Sequence, residues 1–258
     1  MRYLWFISLF LFCSIVHAEP VIRKTIEYKQ GDTVLEGYLA YDDSIQGKAP
    51  GVVVVHDWMG NSEFSKKKAD DLAKLGYVAF AADIYGKGVR PKDRTEASAQ
   101  AGNYKKDRPL LRARVQAALA ELLKRPNVDA TKIGAMGFCF GGTTVLELAR
   151  SGADVAGVVS FHGGLDSPTP DDAKNIKGKV LVLHGADDKF VNNDVPAFQE
   201  EMRKGGVDWQ FVSYGGAVHS FTNPKAGNDN STGSAYNEKA DKRSWQAMKD
   251  FFAEIFAK

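Results

Sequence analysis

Cysteine is nearly absent from this chain. Its 258 residues include two, Cys13 and Cys139, which excludes a disulfide-stapled scaffold. A dominant charge is missing too: 34 Lys and Arg stand against 32 Asp and Glu, a formal net charge of +2. Apart from Lys66-Lys67-Lys68, read as a solvated helix face, like charges form no block. No surface for nucleic acid is therefore expected. The apolar stretch Leu4 to Val16 falls short of the ~20 residues of a membrane helix. No internal repeat or linker appears, and no His, Cys, Asp or Glu spacing suits a zinc site.

What is present begins with an export signal. Arg2 is a positive start, Leu4 to Val16 an apolar core, and Val16-His17-Ala18 a small-residue cleavage site. Residues 1–18 are expected to be a signal peptide and 19–258 a single mature domain, exported to a bacterial periplasm without stable membrane association after cleavage. The bulky Leu11-Phe12 before Cys13 and the apolar run beyond it speak against a lipid anchor. Cleavage leaves Cys139 as a lone thiol in an oxidising compartment. A lone cysteine is usually a small buried hydrophobe; between glycines it reads as a nucleophile.

The mature chain, 44% hydrophobic over the full sequence, alternates apolar runs with helical patterns. Thr25–Tyr28 and Val34–Tyr41 read as a hairpin. Gly51–His56, Tyr77–Ala82, Lys132–Phe138, Val155–His162, Val180–His184 and Trp209–Tyr214 read as strands, several apolar on both faces as in a mainly parallel sheet. Helices are expected from Ser62 to Leu75, across Pro109 to Arg125, after Cys139, over Val195–Lys204 and from about Ala235. Lys87 to about Lys106 reads as a loop with a short helix. The fold class is α/β: a doubly wound, mostly parallel sheet with helices on both faces.

Ligands of such a sheet sit beyond the carboxyl ends of its strands. Four of those ends carry reactive groups: Asp57, Cys139, the pair Asp187-Asp188, and His219. Gly137-Phe138-Cys139-Phe140-Gly141 is a strand–turn–helix elbow with a thiol at its tip. An acid and then a histidine follow, the chain order of α/β-hydrolase triads. Cys139 would attack an acyl carbon, His219 would carry the proton, and a carboxylate would orient His219. Asp188 and Asp187 both remain candidates on spacing. The backbone N–H groups of Phe140 and Trp58 are the expected oxyanion donors. His56 and His184 read as packing and loop-bonding residues, Asp83 as a loop-capping carboxylate, and His162 as a pocket candidate.

Three segments then carry a resemblance: Gly137–Gly142, Gly185-Ala186-Asp187-Asp188-Lys189-Phe190-Val191, and His219-Ser220-Phe221-Thr222-Asn223-Pro224. They resemble the dienelactone hydrolase family, its exported members in particular, over about Thr25 to Phe256. The resemblance implies an α/β-hydrolase fold, hydrolysis of an enol lactone or activated ester, a small-molecule substrate and no metal or organic cofactor. It implies Asp188 as the triad acid. Asp57 stands where the family has a glutamate that tunes the cysteine. Lys87 and Asn223 stand nearest to two arginines that hold a substrate carboxylate, and Lys87 to Arg94 is expected to border the pocket. A thioesterase or broad carboxylesterase is the alternative within the superfamily. A redox or binding protein on a hydrolase scaffold is the alternative outside it.

Overall fold

The computed structural model describes residues 21–257; the expected signal peptide, residues 1–18, and Cys13 lie outside the described residues. Val21–Gln30 (β1) and Thr33–Asp42 (β2) pair antiparallel through the two-residue turn Gly31-Asp32. Gly31 takes a φ of 55°, where a side chain would be strained. Ala49–Val55 (β3), Val78–Ala82 (β4), Val128–Phe138 (β5), Gly157–Phe161 (β6), Lys179–Gly185 (β7) and Trp209–Tyr214 (β8) complete one eight-stranded sheet. Its order is β1-β2-β4-β3-β5-β6-β7-β8, parallel from β4 onward.

Side chains alternate across this sheet, so a run such as Val52-Val53-Val54-Val55 feeds two cores. Val52 and Val54 pack with Leu72 of Glu63–Ala73 (α1) and with Met248 and Phe252 of Glu238–Phe256 (α6). Val53 and Val55 pack on the opposite face. That core also holds Leu111 and Val115 of Arg108–Leu123 (α3), Val145 of Phe140–Arg150 (α4) and Phe198 of Val195–Gly205 (α5). This is the doubly wound α/β arrangement read from the sequence. Among the described residues no helix is long and apolar enough to cross a membrane.

Helix α4 starts directly after Cys139 and is anchored at its far end. Arg150 there is fully buried, paired with Glu147 at 3.0 Å and Glu201 at 2.7 Å. A buried arginine left without its carboxylates would be a large penalty, so this end of α4 is firmly placed.

Two sequence expectations are corrected. The segment read as a loop with a short helix contains a thirteen-residue helix, Arg94–Lys106 (α2). Its buried residues are only Ala97, Ala101 and Tyr104, too narrow and small a stripe to stand out. The overlooked signal was its start: Asp93 accepts from the N–H groups of Thr95 and Glu96, and Glu96 reaches back to the Lys92 N–H. Lys68 also departs from the solvated face expected of its triplet. Its side chain is 12% exposed, with the ammonium 4.7 Å from the Trp245 ring and 5.6 Å from that of Phe138. Burial lowers its pKa.

Candidate active site

Strand β5 lies between β3 and β6 and ends at Phe138. The chain then turns sharply at Cys139, with φ 54° and ψ −114°, into α4. That conformation is costly for a residue with a Cβ. The crossing is tight enough to require glycine. A Cβ on Gly137 would strike the Gly141 backbone, one on Gly141 would strike the Val55 and His56 carbonyls, and one on Gly142 would stand 2.6 Å from Ser160 Oγ. The turn leaves Cys139 partly accessible at the N-terminus of α4, where the helix dipole favours negative charge on sulfur.

His219 meets this sulfur. Its Nε2 lies 3.0 Å from Cys139 Sγ, and its Nδ1 lies 2.8 Å from Asp188 Oδ2. Asp188 is fully buried and its Oδ1 accepts the Phe190 N–H at 3.0 Å. Asp187 is exposed and only its backbone is engaged, with Ala217. Of the two candidates, Asp188 is the one whose side chain reaches His219 among the described residues. Burial works against a charged His219. The interaction with the Cys139 sulfur and the hydrogen bond to Asp188 outweigh it and push the imidazole up to about 10.

The loops after β3 and β4 form the other side. The Asp57 carbonyl accepts the Gly60 N–H at 3.2 Å, and Asp57 Oδ1 accepts the Met59 N–H at 2.8 Å. His56 is fully buried and fixes this turn from behind. Its Nε2 accepts the Ile84 N–H at 3.2 Å, which leaves the proton on Nδ1 to donate to the Asp57 carbonyl at 2.6 Å. Burial pulls its pKa down to about 4, so the ring is neutral. It also stacks on Phe140, with centroids 5.8 Å apart. The N–H groups of Trp58 and Phe140 take no hydrogen bond among the described residues. For Phe140 that follows from its place at the start of α4.

The residues expected to tune or bind substrate divide. Asp57 is buried, which raises its pKa, and it senses the charge on His219. Its recorded hydrogen bond goes to the Met59 N–H. Lys87 turns away: its ammonium pairs with Glu27 of β1 on the surface. Asn223 caps a short turn through the Lys225 N–H at 2.9 Å. Of the segment Lys87 to Arg94, Arg94 borders an open groove of about 580 Å³ shared with Trp58, Thr95, Ser98 and Ala99.

The remaining polar residues mostly match their bland readings. Asp83 caps its loop through the Tyr85 and Gly86 N–H groups and accepts from Glu36. His184 bonds Asn192 at 2.7 Å. His162 is buried rather than open to a pocket, and its ring lies 5.3 Å from that of His219. Sequence reasoning did not find Tyr85, whose hydroxyl donates to the Trp58 carbonyl at 3.1 Å. A tyrosine after a strand carries no local signal of such a bond.

Comparison with known proteins gives the family and the fold. A family model described as the dienelactone hydrolase family matches residues 35–256. A protein of Aquifex aeolicus provisionally named a carboxymethylenebutenolidase is 30% identical over 232 residues, 88% of this chain and 96% of that one. A solved structure titled "m3DLH" is 43% identical with a TM-score of 0.88, covering 92% of this chain and 99% of its own. Another, titled as a dienelactone hydrolase-like promiscuous phosphotriesterase from metagenomic libraries, is 42% identical. It has a TM-score of 0.86 and the same coverage of 92% and 99%.

Proposed function

The chain belongs to the dienelactone hydrolase family, and from that premise we propose that it hydrolyses lactones and activated carboxylic esters through a covalent acyl group on Cys139. Ester or lactone hydrolysis follows from the family and from its relatives' names. The finer reading rests on one observation: a single imidazole joins Cys139 Sγ at 3.0 Å to Asp188 Oδ2 at 2.8 Å.

The steps follow from that geometry. His219 takes the Cys139 proton, and the thiolate adds to the substrate carbonyl carbon. The developing oxyanion accepts from the Trp58 and Phe140 N–H groups, neither of which must give up a protein partner. The C–O bond to the leaving group breaks, and the imidazolium returns its proton to that oxygen. In a lactone this opens the ring and leaves both halves on one acyl chain. His219, neutral again, takes a proton from water as the water attacks the thioester. The tetrahedral intermediate expels the thiolate and releases the acid. Asp188 keeps the Nδ1–H tautomer and stabilises the cation throughout.

A thiolate is also a good leaving group, so its addition to an amide tends to reverse. Enol lactones and activated esters leave more readily than sulfur, and these are the substrates we assign. The groove beside Trp58 offers room for the part of the substrate beyond the scissile bond. One relative is a promiscuous phosphotriesterase, which adds an activated phosphotriester to the panel worth assaying.

The test is turnover of 4-nitrophenyl acetate and of dienelactone, with trapping of the acyl adduct by mass spectrometry. Cys139→Ala should abolish turnover and adduct together. Undiminished turnover would overturn the nucleophile, and an adduct on another residue would move it. We further propose that the chain is exported with a mature end at Glu19, which N-terminal sequencing of the secreted protein tests.

A further inference from the structure

His162 has no part in the steps above, yet its backbone is held in a rarely adopted conformation beside them. Among the described residues three other than glycine have positive φ: Cys139, Ser220 and His162. Cys139 is the nucleophile and Ser220 follows the base. His162, at φ 41°, ends β6 by turning left-handed while its N–H stays on the Leu183 carbonyl at 2.8 Å. Strain of this kind persists only where the surroundings enforce it, and it gathers at working sites.

That turn puts the ring among Phe138, Phe221 and His219. It stands edge-to-face with Phe221 at 5.1 Å and with His219 at 5.3 Å. Its Nε2 lies 2.8 Å from the hydroxyl of Thr222, three residues after His219. Its Nδ1 is buried with no partner. An unmet lone pair is better tolerated than an unmet N–H, so the proton belongs on Nε2, donated to Thr222.

We propose that His162 positions His219 between Cys139 and Asp188, packing against its ring and tethering its loop through Thr222. This rests on His219 being the base at Cys139. Burial and the positive charge on His219 hold His162 well below its ordinary pKa, with Lys68 of α1 and His184 of β7 acting the same way. The ring stays neutral and carries no proton in the reaction. Its contribution is to keep the imidazole within reach of both partners.

Two substitutions test this. His162→Asn removes the ring and keeps a residue that tolerates positive φ. Thr222→Val removes the tether and keeps the shape. For His162→Asn, kcat should fall by about 10- to 100-fold, the scale of a misplaced catalytic group, while KM moves little. Alkylation of Cys139 by iodoacetamide should slow, and the alkaline limb of the rate profile should move to lower pH. Thr222→Val should do the same more weakly, and the double variant should be no worse than His162→Asn alone. Unchanged kcat, alkylation rate and alkaline limb in either folded variant would overturn the proposal, as would additive losses in the double. If His162→Asn does not fold, Thr222→Val decides. A Cys139→Ala enzyme that still turns over would instead remove the base from His219 and leave the tether irrelevant.

Discussion

The Tyr85 hydroxyl donates a 3.1 Å hydrogen bond to the Trp58 carbonyl. With the His56–Asp57 and Ile84–His56 bonds, it ties the loop after β4 to the loop after β3. A fixed carbonyl at Trp58 and a fixed carbonyl at Asp57 together set the plane of the peptide between them. That peptide carries the N–H assigned to the oxyanion. Tyr85→Phe should therefore lower kcat by about two- to tenfold, the worth of one hydrogen bond, with KM nearly unchanged. Steady-state rates on 4-nitrophenyl acetate check this; a loss confined to KM would place Tyr85 on the substrate instead.

The charge on His219 gives a pH dependence with a definite sign. Its pKa is raised from 6.5 to about 10 in the folded chain. The leaving group needs the imidazolium proton, so kcat/KM should fall as pH rises through about 10. Asp188→Asn removes one cause of the elevation, and the alkaline limb should move down in pH. Stability follows the same sign: a raised pKa contributes fully below 6.5 and is lost as pH rises through about 10. Rate profiles of parent and Asp188→Asn, with melting curves from pH 6 to 11, check both.

Much of this site was legible because its chemistry depends on local backbone. Gly137, Cys139 and Gly141 announce a crossing that only glycine permits, and strands such as Gly51–His56 announce burial on both faces. Asp188 and Asp187 could not be told apart by spacing, because adjacent residues differ only in direction. The fold resolves them by burying one and exposing the other. Lys87 misled for a related reason: its place after Tyr85-Gly86 suits a pocket rim, but Glu27 of β1 stands nearer. His162 showed only its type. Its left-handed turn and its contact with His219 arise from tertiary packing that no short window of sequence contains.

Gly142 lets the start of α4 lie against the end of β6. A Cβ there would stand 2.6 Å from Ser160 Oγ and 2.8 Å from Gly163 Cα, and the second of these is backbone. Relief requires α4 to move, and Cys139 moves with it. Gly142→Ala should lower stability by about 1–3 kcal/mol, the usual cost of overpacking. It should also lower kcat more than Tyr85→Phe does. Denaturant melts and kcat measured together check this. A destabilised enzyme with full kcat would show that the elbow is not coupled to the crossing.

Lys87 provides a last and opposite prediction. The family resemblance put a cation near this position to hold a substrate carboxylate, and the fold gives that cation to Glu27 at the surface. An exposed pair of this kind contributes little to stability, and among the described residues neither side chain bonds Cys139, Asp188 or His219. Lys87→Ala should leave kcat/KM for a carboxylate-bearing ester and for its neutral analogue unchanged within about twofold, the range expected of a solvated surface charge. Arg94, which borders the groove beside Trp58, makes no ion pair among the described residues. Paired assays of the two esters on Lys87→Ala and Arg94→Ala separate the possibilities. A loss on the charged ester alone, in Lys87→Ala, would return that lysine to the substrate.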